Sequence, residues 1–189
     1  MVDKHKVRGN RRQTRVYLSL GSNQGDRVGF IQQAMQLLKD NPRIRIIECS
    51  SLYETEPVAA NSSQWFINAV TVLETDLDVA ELLALCKEIE QRLAKLNFAE
   101  PVPAGANTKA ALGKIIDLDI LFYGNEMIET DTLHIPHPKI EKRAYTLVPL
   151  LEISPELIHP RFGKTIAQLH EQLPLPELIY LFGTREENE

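Results

Sequence analysis

The chain is poor in several residue types, and each shortage excludes something. Among 189 residues there are two cysteines, Cys49 and Cys86, with no metal-ligand spacing between or around them. That excludes a disulfide scaffold and a Cys-based zinc site. Both lie in apolar-periodic segments and read as buried free thiols of a chain in a reducing cytoplasm. No apolar run approaches the ~18 residues of a membrane span, so no membrane association is expected. The N-terminus has no apolar signal core behind its basic residues. There is no Gly-x-x-x-x-Gly-Lys-Ser/Thr phosphate loop, no internal repeat and no sign of a second core. Aromatic residues make up 6% of the chain, and no strand carries the Lys/Arg-Gly-Phe pattern of RNA-recognition sheets. With an acidic body, this argues against a nucleic-acid partner.

What remains suits one globular domain of ordinary composition, 43% hydrophobic and 25% charged. Charge is unevenly spread. Six basic residues in the first fifteen (Lys4, Lys6, Arg8, Arg11, Arg12, Arg15) face only Asp3, on a chain of net charge −5. Residues 1–14 are expected to be a disordered basic tail, 15–173 a single domain, and 174–189 a C-terminal tail ending in acidic residues.

The element order follows from periodicity. Val16 to Leu20 reads as a strand closed by a tight turn at Gly21-Ser22-Asn23. Asp26 caps a helix carrying Val28, Ile31, Met35 and Leu38 at helical spacing, which Asn41-Pro42 stops. Arg43–Tyr53 reads as a second strand and Trp65–Thr75 as a third, with a polar loop between them. Asp78 and Glu81 have capping-box spacing ahead of a buried stripe of Leu82, Leu85, Cys86, Ile89, Leu93 and Leu96. From Asn97 to Lys114 there is no apolar period, and the segment is rich in proline, glycine and small residues, a length typical of functional lids or disordered segments. A strand from Ile115 to Tyr123 follows, ended by Gly124-Asn125. Short helices near Arg143–Leu151 and Thr165–Leu173 complete the chain. The order is βαββαβ, a ferredoxin-like split βαβ arrangement with an antiparallel sheet. The expected class is α+β, with the extra C-terminal helices making α/β/α layers.

The last core strand carries the chemistry. Asp117 and Asp119, at i and i+2, point to one face, while Leu118 and Ile120 point to the other, into a core. Two carboxylates roughly 7 Å apart along a strand repel and resist burial. A hard cation would resolve this, because Mg²⁺ takes oxygens from one or two carboxylates plus substrate phosphates. The triplet alone is a weak signal and fits the solvated face of a sheet more readily than a metal site. Likewise Phe66 on a strand could be core, His137 an ordinary loop histidine, and Arg143 or Glu90 a surface charge. Asn68 inside an apolar strand is less ordinary, since a buried amide needs partners.

Six segments in order carry a resemblance. They are Gly21-Ser22-Asn23, Ser51-Leu52-Tyr53-Glu54-Thr55-Glu56-Pro57-Val58, Phe66-Ile67-Asn68-Ala69-Val70, Asp117-Leu118-Asp119-Ile120-Leu121, Ile135-Pro136-His137-Pro138, and Arg143 through Pro149-Leu150. From Val16 to Leu173 the chain resembles the 6-hydroxymethyl-7,8-dihydropterin pyrophosphokinases of folate synthesis. The resemblance implies a monomeric cytoplasmic enzyme that moves pyrophosphate from ATP to the pterin hydroxymethyl group and releases AMP. It implies two Mg²⁺ ions bound with ATP by Asp117 and Asp119. It implies a pterin pocket of Phe66 and Tyr145 as stacking pair, Asn68 at the ring edge, Thr55 and Val58 through backbone groups, and Asp117. Glu90, Ile120, His137 and Arg143 would meet ATP.

The chain departs from the family around the long loop. The family's Gly-Arg-x-Arg reads Ala94-Lys95-Leu96-Asn97 here, and its Trp-Gly-Pro-Arg reads Ala111-Leu112-Gly113-Lys114. Lys95 and Lys114 thus stand for arginines as catalytic cations, with Lys109 as a possible helper. Lysine lacks the planar bidentate fork. The resemblance therefore leaves open a slow enzyme or a paralogue that binds pterin and nucleotide without transfer.

Overall fold

A computed structural model of the chain describes residues 13–57, 64–97, 115–173 and 178–183. Strand β1 (Thr14–Ser22) is the organising element. Val16, Leu18 and Leu20 are fully buried on one side of it, while Tyr17 and Ser19 face the other. It pairs antiparallel with β4 (Phe66–Thr75) on one flank and with β5 (Asp117–Tyr123) on the other. Beyond β4 lie β2 (Ile44–Cys49) and β3 (Leu52–Thr55), end to end along the same edge.

The expected single strand Arg43–Tyr53 is thus two. The break falls at Ser50-Ser51, where the Ser50 hydroxyl accepts a hydrogen bond from the Val70 N–H at 2.9 Å while the Ser50 N–H still donates to the Val70 carbonyl at 2.8 Å. A serine hydroxyl standing in for a backbone acceptor lets the strand bend without losing its partner.

Helices α1 (Arg27–Lys39) and α2 (Val79–Asn97) cover the Val16-Leu18-Leu20 face, together with Ile67, Leu73, Leu118 and Ile120. Asp26 caps α1 by accepting from the Gly29 N–H at 2.9 Å. Asp78 and Glu81 cap α2 reciprocally, at 2.8 and 2.9 Å, as their spacing predicts. Arg43 bonds both Glu81 and Asp76, fastening the start of β2 to the β4–α2 corner. Cys86 is buried on the core-facing side of α2, and burial pushes its thiol up to about 12. Cys49 is only half-buried, beside Thr71 Oγ1 at 3.2 Å.

The opposite face takes α3 (Ala144–Ile153) and α4 (Ile166–Glu171) through Leu147, Leu150, Ile166 and Leu169, with Ile140 from the 3-10 turn ahead of α3. They pack on Tyr17, Val70, Val72, Leu121 and Phe122. Leu121 and Phe122 are neighbours in a strand yet lie on the same side. A β-bulge explains this: Ile120 pairs with Leu18 and Phe122 with Tyr17, so β5 has one residue too many between them. The result is an α/β/α sandwich with the ferredoxin-like strand order.

Strand β6 (Ile179–Gly183) pairs antiparallel with β3 and extends the sheet to six strands. It lies in the segment expected to be a tail. Four consecutive apolar or aromatic residues make it a strand, and Trp65 stacks on Tyr180 with ring centroids 5.8 Å apart.

Phe122, 1% exposed, is turned onto the α3/α4 side by the bulge, edge-on to Tyr17 at 5.8 Å. Phe122→Ala should therefore lower the unfolding free energy in a denaturant titration by roughly 3–5 kcal/mol. A loss below about 1 kcal/mol would mean that this second core contributes little.

Candidate functional site

The site is a consequence of strand register. Gly21 on β1 stands opposite Asn68 on β4 and, on its other side, opposite Asp117 on β5. Asn68 in turn stands opposite Tyr53 on β3. Directly opposed residues project to one face. Tyr53, Asn68, Gly21 and Asp117 thus form a row across four strands, on the α3 side of the sheet. In the next row on this face, Val70, Ser19 and Asp119 stand opposite one another. Both aspartates therefore share a face, while Leu118 and Ile120, 1% and 3% exposed, lie in the core beneath.

Gly21 is a strand residue, not part of the tight turn that Gly21-Ser22-Asn23 suggests. Ser22 still belongs to β1 and its hydroxyl donates to the Ile115 carbonyl at 2.5 Å, which holds the entry to β5. A Cβ at position 21 would sit 2.9 Å from Asn68 Oδ1 and 3.9 Å from Phe66 Cδ1. Glycine is required there so that a side-chain amide can lie over the backbone. The space that a side chain would fill is taken by the Asn68 amide, on the face that Asp117 shares. An isolated glycine ending a strand pattern was the available signal for this close approach.

Asn68 is 4% exposed, and its Nδ2 donates to Thr55 Oγ1 at 2.7 Å. Thr55 thus uses its side chain to aim the amide. Phe66 is half-buried, stands opposite Thr55 and lies beside Gly21. Tyr145 lies in the first turn of α3, and the Arg143 guanidinium sits 5.3 Å from its ring centroid. One face of that ring is therefore covered by a cation.

His137 follows the cis Ile135–Pro136 peptide, and its N–H donates to the Leu121 carbonyl at 3.0 Å. Its Nε2 comes within 4.0 Å of Asp119 Oδ2. Burial pushes the imidazole below its ordinary range; Arg143 and Lys139 push the same way, against the pull of Asp119 and Asp117. Nδ1 accepts from the Lys139 N–H at 3.4 Å, so a neutral ring carries its proton on Nε2, toward Asp119.

Glu90 on α2 is not a solvated helix residue. One oxygen accepts the Leu118 N–H at 2.8 Å, between the two aspartates, and the other meets Lys87 Nζ at 2.9 Å. Lys87 was not singled out from sequence; its i, i+3 spacing to Glu90 was the only trace. Burial works to lower its ammonium, but Glu90, with Asp117 and Asp119, holds it above the usual lysine range. The side chain of Ile120 is in the core, so only its backbone could touch a nucleotide. Lys95 is exposed near the C-terminal end of α2. Val58, Lys109 and Lys114, and residues 98–114 of the loop, lie outside the described residues.

Among the described residues no third His, Cys, Asp or Glu joins the aspartates in a metal-holding cluster. Two hard carboxylates on one face, the Asp119 side chain 37% exposed, suit a cation that completes its shell with phosphate oxygens and water. They do not suit an all-protein cage.

The profile of the 7,8-dihydro-6-hydroxymethylpterin-pyrophosphokinase family matches residues 17–155. The chain is 37% identical over 158 residues to the folic acid synthesis protein fol1 of Pneumocystis carinii, covering 84% of this chain but 20% of that one. It is 37% identical over 137 residues to the 2-amino-4-hydroxy-6-hydroxymethyldihydropteridine pyrophosphokinase of Bacillus subtilis, covering 72% of this chain and 76% of the bacterial one. In structure it is similar to Plasmodium falciparum HPPK-DHPS in complex with pteroate, with a TM-score of 0.65, 18% identity, and coverage of 90% of this chain and 45% of that one. The chain thus spans about a fifth of the fungal relative and under half of the Plasmodium protein.

Gly21→Ala should drive the Asn68 amide off Thr55 and lower stability by about 1–3 kcal/mol. In an Asn68→Ala background the same substitution should cost much less, because the clashing atom is gone. Equal costs in both backgrounds, measured by denaturant unfolding, would place the strain elsewhere.

Proposed function

The chain belongs to the 7,8-dihydro-6-hydroxymethylpterin-pyrophosphokinase family, and from that premise we propose that it transfers pyrophosphate from ATP to 6-hydroxymethyl-7,8-dihydropterin and releases AMP. The observation that carries this reading is the row Asn68, Gly21, Asp117. Asn68 and Asp117 are separated by one intervening strand, which puts their backbones about 10 Å apart. A flat bicyclic ring laid over Gly21 can present its polar edge to Asn68 and its hydroxymethyl arm to the aspartates. A side chain at position 21 would occupy that ground.

In the reaction a new bond forms between the hydroxymethyl oxygen and the β-phosphorus of ATP. The bond from that phosphorus to the oxygen bridging toward the α-phosphorus breaks. AMP leaves with the bridging oxygen, and the hydroxyl proton is released. Such chemistry asks the protein for positioning and charge balance rather than for a covalent intermediate. Asn68, aimed by Thr55, reads the pterin edge with its donor and acceptor. Phe66 and Tyr145 bracket the ring, Tyr145 with the face that Arg143 leaves open; a backbone contact from Val58 is what the family resemblance would add.

Asp117 and Asp119 are the protein ligands we assign to Mg²⁺, two ions with ATP, which when bound neutralise triphosphate charge and acidify the attacking hydroxyl. Glu90 steadies the strand between those ligands through the Leu118 N–H. His137, as a neutral Nε2–H donor, and Arg143 face the phosphates. The backbone of Ile120 contacts the nucleotide, and Lys95 and Lys114 supply the cations that arginines supply elsewhere in the family. Among the described residues no helix is long and apolar enough to cross a membrane.

Incubation with ATP, Mg²⁺ and the pterin should release AMP. Asp117→Ala or Asp119→Ala should reduce that release by about a hundredfold or more. The thermal midpoint should hold or rise, because a like-charge pair has been relieved. Near-parental turnover in either variant would sink the metal assignment. Asn68→Ala should weaken pterin binding by about 1–3 kcal/mol in calorimetry and leave ATP binding nearly unchanged. The opposite pattern would put the pterin elsewhere.

A further inference from the structure

We infer that Glu152 is a positioning residue for the pterin cleft, setting the distance between its helical wall and its strand floor. The inference rests on the pyrophosphokinase reading. Glu152 lies in the last turn of α3 and is itself exposed. Its carboxylate nevertheless receives three hydrogen bonds. The Ser51 N–H and the Tyr53 hydroxyl donate to one oxygen, and the Ser51 hydroxyl donates to the other, each at 2.9 Å. Three converging donors, two of them side chains about a hundred residues distant in sequence, are more than a surface glutamate needs for solvation.

The partners matter because of where they sit. Ser51 is at the break between β2 and β3, and Tyr53 stands opposite Asn68 in the site row. Two residues on, Thr55 holds the Asn68 amide. At the other end of α3, about 10 Å away along the axis, Tyr145 and Arg143 form the opposite wall. One carboxylate thus joins the helix bearing Tyr145 to the strand bearing Thr55. The next residue but one, Ser154, makes a second tether, its Oγ 3.2 Å from Tyr17 Oη on β1.

The bond leaves a mark on Tyr53. Partial burial, then the hydrogen bond and negative charge of Glu152, push its phenol up to about 12. An ordinary tyrosine titrates near 10. Burial is the larger cause, so only the share that Glu152 adds to this rise reports the tether.

Glu152→Gln keeps the shape but removes the charge: its amide nitrogen can meet the Ser51 hydroxyl only as a donor, and the charge assistance of all three bonds is lost. The test compares this variant with the parent and with Glu152→Asp, which keeps both acceptors. Calorimetry reads hydroxymethyldihydropterin and Mg²⁺-ATP separately, and ultraviolet titration against a Tyr53→Phe control reads the phenol. In Glu152→Gln the pterin dissociation constant should rise about tenfold. That for Mg²⁺-ATP should stay within about twofold, and the Tyr53 midpoint should fall toward 10. Glu152→Asp should recover part of the pterin affinity.

A lowered Tyr53 midpoint with unchanged pterin affinity would overturn the inference, since the tether would then not shape the cleft. An unchanged midpoint would overturn it by showing no such bond in solution. Loss of both affinities together with the thermal transition would reduce Glu152 to a structural residue. A parent chain that bound no pterin would overturn the functional reading and this inference with it. A parent that binds, beside a variant that binds equally well, would overturn the inference alone.

Discussion

Strand β1 is hydrogen-bonded on both flanks, and nearly everything else about the molecule depends on that double pairing. The register against β4 brings Asn68 to Gly21, and the register against β5 brings Asp117 to the same glycine. A slip of one residue on either flank would send that flank's polar group into the apolar core and its core residues into the site. The register is held by burial: Val16, Leu18 and Leu20 on β1 and Leu118 and Ile120 on β5 are all at most 3% exposed on the opposite face. Stability and site geometry are therefore two readings of one alignment.

The site lies where the sheet changes character. On the α3 side, Val70, Val72, Leu121 and Phe122 are covered by α3 and α4. Further along the same face, toward the end of β1 and the starts of β4 and β5, the row turns polar and is glazed only by Gly21. Serving both ends of this face requires β5 to carry aspartates at one end and a hydrophobic cluster at the other. The bulge at Leu121 does this, turning two adjacent apolar residues onto the face that Asp117 and Asp119 occupy one turn of the pleat earlier. Hard carboxylates stay half-open to solvent while the core a few residues on stays dry, which limits the desolvation that a charged pair would otherwise suffer.

Around the row, polar side chains do the orienting. Thr55 aims Asn68, Glu90 takes the Leu118 N–H between the aspartates, and Glu152 receives Ser51 and Tyr53. None of these contacts is local in sequence. Thr55 acts from the neighbouring strand, whereas Glu90 and Glu152 reach the sheet from helices on its two faces, so the geometry of the site also depends on how whole layers sit on one another. A modest number of charge-assisted bonds at layer boundaries has leverage here because the layers between them are packed and move as bodies.

Sequence alone determined the period-dependent features of this protein. Alternation placed Asp117 and Asp119 on one face and Leu118 and Ile120 on the other. Helical spacing and capping residues located α1 and α2, and the βαββαβ order followed from their succession. These are local, because side-chain direction repeats every two or 3.6 residues whatever the partner. The tertiary structure decided what depends on register and on distant donors. It made Gly21 a strand residue under an amide rather than a turn, split Arg43–Tyr53 at Ser50-Ser51, and recruited Ile179–Gly183 as a sixth strand. It also gave Glu90, Lys87 and Glu152 their places, which no periodicity marks. The physical reason is that a hydrogen bond or a close approach between elements is set by which residues face each other after packing, and that choice belongs to the assembled layers rather than to any one segment.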